Sequence, residues 1–377
     1  MRKKHFLFAS VLALLCSSST LHAQDFKLTS SGYFKNQGVD VMAFDDIYPE
    51  GHQGGVCIIM NGHRVATNGD IRLEATPGQW QPVPKQLDRK LGDNSITATL
   101  CYPDSSRHLT GFNPMIYPDL HLIYTVNVES KGKNIEVTVD LDRPIPQEFI
   151  GKVGFNLEFF PGSLFGKPWI MDGQSGIFPQ QPNSPLMTTQ PNYLHTGNYH
   201  DGKKSLADMD KLIGKGYSPI VADDIISEPY AKGTKFTSRP DDPYNKVTIE
   251  SLSGDLQLFD GRMNHNNGWF VLRSNIKPGV TKGAVKWIIT PNVVADWMYQ
   301  PVIQTSQIGY HPTQDKEAVI EMDIRDNRKE TAQIIRIDAD GEKVVKNVTP
   351  ANWGKFLRYN YLKVNFTDVK EPGLYKD

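Results

Sequence analysis

Two side chains in this sequence could exchange protons with a substrate. Glu158 sits in Phe155-Asn156-Leu157-Glu158-Phe159, and His265 sits in Asn264-His265-Asn266-Asn267-Gly268. A glutamate and a histidine facing one cleft form a general acid/base pair. These two lie in unrelated segments, and no spacing rule brings them together. The plainer readings are a strand glutamate paired with a cation and a loop histidine in solvent. No residue of this chain is therefore assigned a catalytic role. A second set of residues suits binding better. Pyranose rings carry apolar C–H patches rimmed by hydroxyls, and proteins hold them with aromatic planes and nearby polar groups. Trp169, Tyr193, Tyr199, His265 and Trp269 lie in or beside polar loops of that composition, and they are the candidate carbohydrate-binding residues. The competing reading is that each tryptophan caps a core. Trp80, Trp287 and Trp297 read as core or interdomain packing.

Metal and cofactor chemistry find little support. No Cys/His cluster has zinc spacing. The Asp-rich turns at 222–225 and 239–243 could cage calcium with oxygens, but they lack a loop signature and read as solvated turns. No metal and no cofactor are expected.

The elements that must position these residues are strands. Apolar and polar residues alternate over 56–60, 70–75, 95–102, 121–129, 134–141, 153–159, 246–250, 256–260, 269–273 and 284–290. Val, Ile, Thr, Tyr and Phe dominate these runs, and Gly, Pro, Asn and Asp separate them. The clearest hairpin joins 121–129 to 134–141 through Ser130-Lys131-Gly132-Lys133-Asn134. One helix is expected, at 206–213. Segment 160–233 reads as a long irregular excursion rich in Pro, Gly and Gln. So many strands over about 270 residues argue for an all-β chain with a large double-layered β-sandwich. Its texture resembles the supersandwich of galactose mutarotases, with a jelly roll or a pair of sandwiches as alternatives.

With 377 residues the chain is long for one domain, and two are expected. The net charge of -1 points away from nucleic acid and anionic lipid as partners. Arg2, Lys3 and Lys4, the apolar run 6–15 and Leu21-His22-Ala23 read as a signal peptide over 1–23, cleaved near Ala23. The three cations would leave with it, taking the net charge to about -4. A lipidated Cys16 is the alternative, and the bulk of Leu15 counts against it. The expected location is periplasmic or extracellular. No later run is long and apolar enough for a membrane span. Export permits a disulfide between Cys57 and Cys101, and two buried free thiols are the other reading.

Gln307-Ile308-Gly309-Tyr310-His311-Pro312, Ala318-Val319, Asp340-Gly341, Asn365-Phe366-Thr367 and Gly373-Leu374-Tyr375 follow one another over about 75 residues. In this order they resemble the small immunoglobulin-like β-sandwich that precedes the catalytic barrel in glycoside hydrolase family 9. Ile308, Asn365 and Thr367 depart mildly from that pattern. Strands are expected at 318–322, 332–337 and 361–366, with a hairpin turn at Asp340-Gly341. Tyr310, Phe366 and Tyr375 would fill the core or its corners. The resemblance divides the chain into a large sandwich over 24–300 and an immunoglobulin-like domain over 301–377, whose last strand would be cut short after Tyr375. It implies that the chain is the non-catalytic front of a secreted hydrolase of plant β-glucans, cellulose-like or xyloglucan-like. Catalysis would belong to an (α/α)6 barrel, absent here, that inverts the anomeric centre with two carboxylates. Asp338-Ala339-Asp340-Gly341 resembles that barrel's signature but reads as a turn. The implied partners are a β-glucan and the barrel. A free-standing carbohydrate-binding protein and a mutarotase- or lyase-like enzyme are the other readings.

Overall fold

The computed structural model describes residues 25–45, 54–74, 77, 84–104, 120–182, 228–263 and 268–376. Two nine-stranded antiparallel sheets build the first sandwich. One contains β1 (Lys27–Leu28), β2 (Phe34–Asn36), β3 (Val39–Ala43), β4 (Val56–Met60), β5 (His63–Leu73), β10 (Val153–Phe159), β13 (Ala231–Gly233), β16 (Leu256–Asp260) and β17 (Phe270–Asn275). The other contains β6 (Lys85–Leu91), β7 (Ser95–Tyr102), β8 (Leu122–Lys131), β9 (Asn134–Leu141), β11 (Pro168–Met171), β12 (Gln174–Ile177), β14 (Lys235–Ser238), β15 (Val247–Ser251) and β18 (Val285–Pro291). Their spatial orders are β1-β2-β3-β4-β5-β10-β17-β16-β13 and β12-β11-β14-β15-β18-β9-β8-β7-β6. Each sheet alone has more strands than a whole eight-stranded jelly roll, so the large double-layered sandwich is the architecture.

The β8–β9 hairpin shows how the sequence sets this arrangement. Alternate residues of both arms are buried, and Lys131 pairs with Asn134 across a two-residue turn. Gly132 supplies the positive φ of 67° that such a turn requires. The facing sheets meet in one continuous apolar core. Trp287 of β18 lies edge-on to Phe155 of β10 with centroids 5.0 Å apart. Its indole N–H donates to Ser274 Oγ at 3.0 Å, so the one polar atom of this buried ring is satisfied.

Strand β10 is buried on both faces. Val153, Phe155, Leu157 and Phe159 enter the core, so Gly154, Asn156 and Glu158 point the other way by strand alternation. That second face is sealed and polar, and it carries the chemistry described below.

The second sandwich is small. Strands β19 (Val302–Gln304), β20 (Glu317–Asp323), β23 (Ala351–Phe356) and β24 (Tyr359–Asn365) form a sheet in the order β19-β20-β24-β23. Strands β21 (Ala332–Asp338), β22 (Gly341–Val348) and β25 (Leu374–Lys376) form the other, in the order β22-β21-β25. Ala318, Ile320, Met322, Ile334, Leu362 and Val364 make its core. Phe366 and Tyr375 pack against that core, and Tyr310 meets Phe366 edge-on at 5.1 Å.

Some expectations change. No α-helix occurs among the described residues, and the helix expected at 206–213 lies outside them. Segment 160–233 is not wholly irregular, because β11 and β12 lie inside it and β13 ends it. The hairpin after β21 turns on Ala339 and Asp340, one residue earlier than expected, since Asp338 pairs with Gly341. Cys57 and Cys101 are both buried and not joined in a disulfide, and they lie on different sheets.

Replacing Trp287 with Ala removes a fully buried ring and the donor to Ser274 Oγ, which keeps its hydrogen bond to the Asp255 carbonyl. The unfolding free energy is expected to fall by about 3–5 kcal/mol in urea titration. A change under about 1 kcal/mol would show that the two sheets do not meet at this ring.

Candidate functional site

The polar face of the first sheet is built where β5, β10 and β17 lie side by side. Arg273 Nη1 reaches Glu74 Oε1 and Asn156 Oδ1, each at 3.0 Å. Its Nη2 donates to the carbonyls of Glu74 and Lys152, and its Nε donates to Asn275 Oδ1 at 2.7 Å. Gly154 is required beneath it, because a Cβ there would stand 2.8 Å from Arg273 Nε. The guanidinium is thus saturated with acceptors, as a buried cation must be. Burial pushes the Glu74 carboxyl up, and the facing Arg273 pulls it back in part. This end of the face is structural.

The other end is buried as well, but not every polar atom there is hydrogen-bonded. Asp70 Oδ1 accepts from the Tyr124 hydroxyl and from the Ile71 N–H, each at 2.7 Å. Tyr124 belongs to the opposite sheet, so this hydrogen bond joins the two layers. Among the described residues, Asp70 Oδ2 and Asn68 Oδ1 have no hydrogen-bond partner. Arg72 Nη1 stands 3.8 Å from Asp70 Oδ2, a charge contact without a hydrogen bond. Burial raises the Asp70 carboxyl from 3.8 to about 6, outweighing Arg72, the Tyr124 hydroxyl and the Ile71 N–H. Burial also pushes the Tyr124 phenol well above its ordinary value. A carboxyl titrating near neutrality is suited to proton transfer. Asp70 is only 1% exposed and Glu158 only 5%, so this structure offers a substrate no approach to either.

The junction of the two sandwiches forms a second, open feature. A cleft of about 380 Å³ lies between them, lined by Lys27, Lys35, Gln37, Trp297, Tyr299 and Tyr359 among others. Gly38 closes the β2–β3 turn with a φ of 66°, and a Cβ there would stand 2.7 Å from Trp297 Cε3. The Trp297 ring therefore reaches the first sandwich only because position 38 is glycine. Gln37 Nε2 and Arg325 Nη2 both donate to the Trp297 carbonyl, at 2.6 and 2.7 Å. Arg358 Nη1 pairs with Asp40 Oδ2 at 2.9 Å across the junction. Burial raises the Asp40 carboxyl, and Arg358 and Lys35 oppose that rise. Asp323 binds Arg325 and the Tyr299 N–H, and its hydrogen bonds from Arg325 hold it down at about 2.

From this junction a row of rings crosses the outer face of the small four-stranded sheet. Trp297 to Tyr299 is 6.4 Å, Tyr299 to Tyr359 is 5.0 Å, Tyr359 to Tyr361 is 6.1 Å and Tyr361 to Trp353 is 5.6 Å between centroids. In β24, Leu362 and Val364 enter the core, so Tyr359 and Tyr361 take the opposite face. Trp353 is the extra residue of a bulge between Asn352 and Gly354 on edge strand β23, and it is 56% exposed. Glu321 sits within the row and accepts from the hydroxyls of Tyr299 at 2.9 Å and Tyr361 at 3.1 Å. Burial and Glu321 raise the Tyr299 phenol to about 12.

The residues singled out from the sequence are dispersed. Trp169 is buried at 6% in strand β11, where Gly176 lies against its ring, so it belongs to the core in this structure. Trp269 is half-buried and meets Phe160 edge-on at 4.5 Å. Tyr193, Tyr199 and His265 lie outside the described residues. Glu158 accepts from Asn68 Nδ2 at 2.5 Å. The turn at 239–243 is an ion-paired loop in which Arg239 meets Asp241 and Asp242. No cluster of three or more His, Cys, Asp or Glu suited to a metal occurs among the described residues. Trp353, Tyr359 and Tyr361 escaped the sequence reading. The Tyr359-x-Tyr361 repeat was their one visible signal.

Comparison with known proteins adds one firm element. Residues 298–376 match the family model of the cellulase N-terminal immunoglobulin-like domain. None of the curated proteins compared matches the chain. Among solved structures, Slr1438 of Synechocystis sp. PCC 6803 is similar at 10% identity, with 71% of this chain and 96% of that chain covered and a TM-score of 0.31. HI1317 is similar at 8% identity, covering 70% and 93%, with a TM-score of 0.27. Likenesses of that size carry no inference about activity.

Two outcomes check this geometry. Between about pH 4 and 6 the folded chain holds an Asp70 proton that the unfolded chain releases. Stability should therefore fall as pH rises through that window, by about 3 kcal/mol from this group. Asp70→Asn should lose that part of the decline in urea titrations at pH 4 and pH 7; an unchanged slope would mean Asp70 titrates normally. At the junction, Gly38→Ala forces a β-carbon into the Trp297 ring at a φ that costs about 1–2 kcal/mol by itself. Limited proteolysis within 292–301 should quicken severalfold, and an unchanged cleavage rate would show that Gly38 does not seat Trp297.

Proposed function

We propose that this chain is a non-catalytic accessory part of an exported polysaccharide-degrading protein, acting on plant β-glucan of the cellulose or xyloglucan type. The observation that carries this reading is the cellulase N-terminal immunoglobulin-like domain at 298–376. Its attachment supports a positioning role. An ion pair, two hydrogen bonds to one carbonyl and a ring seated on glycine hold it against the first sandwich. A domain fixed at several points on a large core is suited to hold a catalytic module in place. The natural partner on this reading is a cellulase-type (α/α)6 barrel, with the hydrolysis done by the barrel's carboxylates.

One observation favours a second reading, an enzyme in the first sandwich. Asp70 keeps a free carboxylate oxygen beside Arg72 and titrates near 6, which are properties of an acid/base residue. The near-complete burial of Asp70 weighs against it, since a substrate atom must come within hydrogen-bond reach of its base.

The test joins a cellulase-type barrel directly after residue 376 and compares it with the barrel alone. The accessory reading expects a higher unfolding temperature, by several degrees, and higher turnover on soluble β-glucan for the joined protein. Identical melting and identical turnover would remove the reading.

A further inference from the structure

The aromatic row is more than packing. Four consecutive ring pairs lead from the interdomain cleft to the free edge of the small sheet. Its last member, Trp353, contributes little to any core. It lies on an edge strand, it is the bulged residue, and more than half of its surface meets solvent. Bulges re-aim side chains, and this one turns a tryptophan out beside Tyr361. An exposed tryptophan continuous with half-buried rings is the arrangement of a surface that expects an apolar ligand.

Polar groups are interleaved with the rings. Glu321 lies between the hydroxyls of Tyr299 and Tyr361, and Lys363 pairs with Glu317 one step further along the same face. At the cleft end, Lys27 and Lys35 oppose each other across β1 and β2, both exposed, and Lys35 acts on the Asp40 carboxyl beside them. Alternating ring faces and hydrogen-bonding groups match the alternating C–H faces and hydroxyl rims of a pyranose chain. A protein-docking face would instead centre on a dry aliphatic and aromatic core with charges at the rim.

We infer that the outer sheet of the immunoglobulin-like domain, from the Trp297 cleft through Tyr299, Tyr359 and Tyr361 to Trp353, is a binding track for a single soluble polysaccharide chain of neutral pyranose units. The ring planes decide between a single chain and a crystal face. Successive rings are inclined at 67°, 56°, 68° and 88°, so they present no common flat platform. A flexible chain can turn from ring to ring, and a flat crystal surface would touch one ring at a time. The track rests on the polysaccharide reading above. It places the contact on the small sandwich, away from the residues that composition singled out in the large one.

Affinity gel electrophoresis of the whole chain tests it, in gels cast with hydroxyethyl cellulose, lichenan or xyloglucan. At least one polymer should retard the wild type. Trp353→Ala should weaken that retardation about tenfold, and Trp353→Phe should keep most of it. Both variants should retain the wild-type circular dichroism spectrum, because Trp353 is largely exposed. Insoluble crystalline cellulose should not deplete the chain from solution. Equal retardation of wild type and Trp353→Ala would overturn the track while leaving polysaccharide binding in place. Failure of every soluble polymer to retard the wild type would overturn it too, while the joined-barrel comparison still decides the accessory reading. Depletion by crystalline cellulose would overturn the single-chain assignment.

Discussion

Trp297 against Gly38 is the contact on which the arrangement of the whole chain depends. The first sandwich ends at Pro291 and the second begins at Val302, so few residues are available to fix one on the other. A ring seated on a glycine turn gives close approach without a hinge. The Trp297 carbonyl then receives one donor from each sandwich, Gln37 from the first and Arg325 from the second. Arg358 adds a charge contact to Asp40, partly withdrawn from water, where an ion pair is screened less than on open surface. Each contact alone is modest. Together they over-determine one orientation, and the row of tyrosines follows from it because Tyr299 stands two residues beyond Trp297.

The same chain contains a different solution to burying polarity. The face of β10 opposite the core carries Asn156 and Glu158; β5 supplies Asp70 and Arg72, the residue just after β5 is Glu74, and β17 supplies Arg273. Removing one partner from such a pair costs about 3–5 kcal/mol, so the network specifies how these strands align even where its net stabilisation is small. Arg273 uses every donor it has. Asp70 does not use every acceptor. A saturated group holds structure, and an unsaturated one is where chemistry or a bound water would enter. Asp70 is therefore the residue on which the second reading, an enzyme in the first sandwich, would rest.

Much of the fold was legible because burial on one face imposes period-two alternation. The strands at 95–102 and 134–141, which alternate in burial, were read residue for residue, and so were the more fully buried strands at 56–60, 153–159 and 256–260, marked by β-branched and aromatic residues. Where that constraint is absent the reading failed. Strand β6, Lys85-Gln86-Leu87-Asp88-Arg89-Lys90-Leu91, is an edge strand with mostly exposed residues, and its charges protect the edge instead of marking a buried face. Strands β11 and β12 are four residues each, too short to show alternation amid Pro and Gly. That brevity made Trp169 look like a loop residue although its strand buries it. The aromatic row was invisible for another reason. Its members come from the interdomain segment, from β24 and from a bulge in β23, and only antiparallel pairing brings them together. The immunoglobulin-like domain was legible through its turns, where glycine and proline are dictated locally and need no tertiary context.

We propose that this chain positions and holds without cutting. Reducing-sugar release from soluble β-glucans by the purified chain tests it most directly. None above the buffer blank is expected, at any pH between 4 and 8. Release that disappears on changing Asp70 to Asn, with the fold intact, would contradict it.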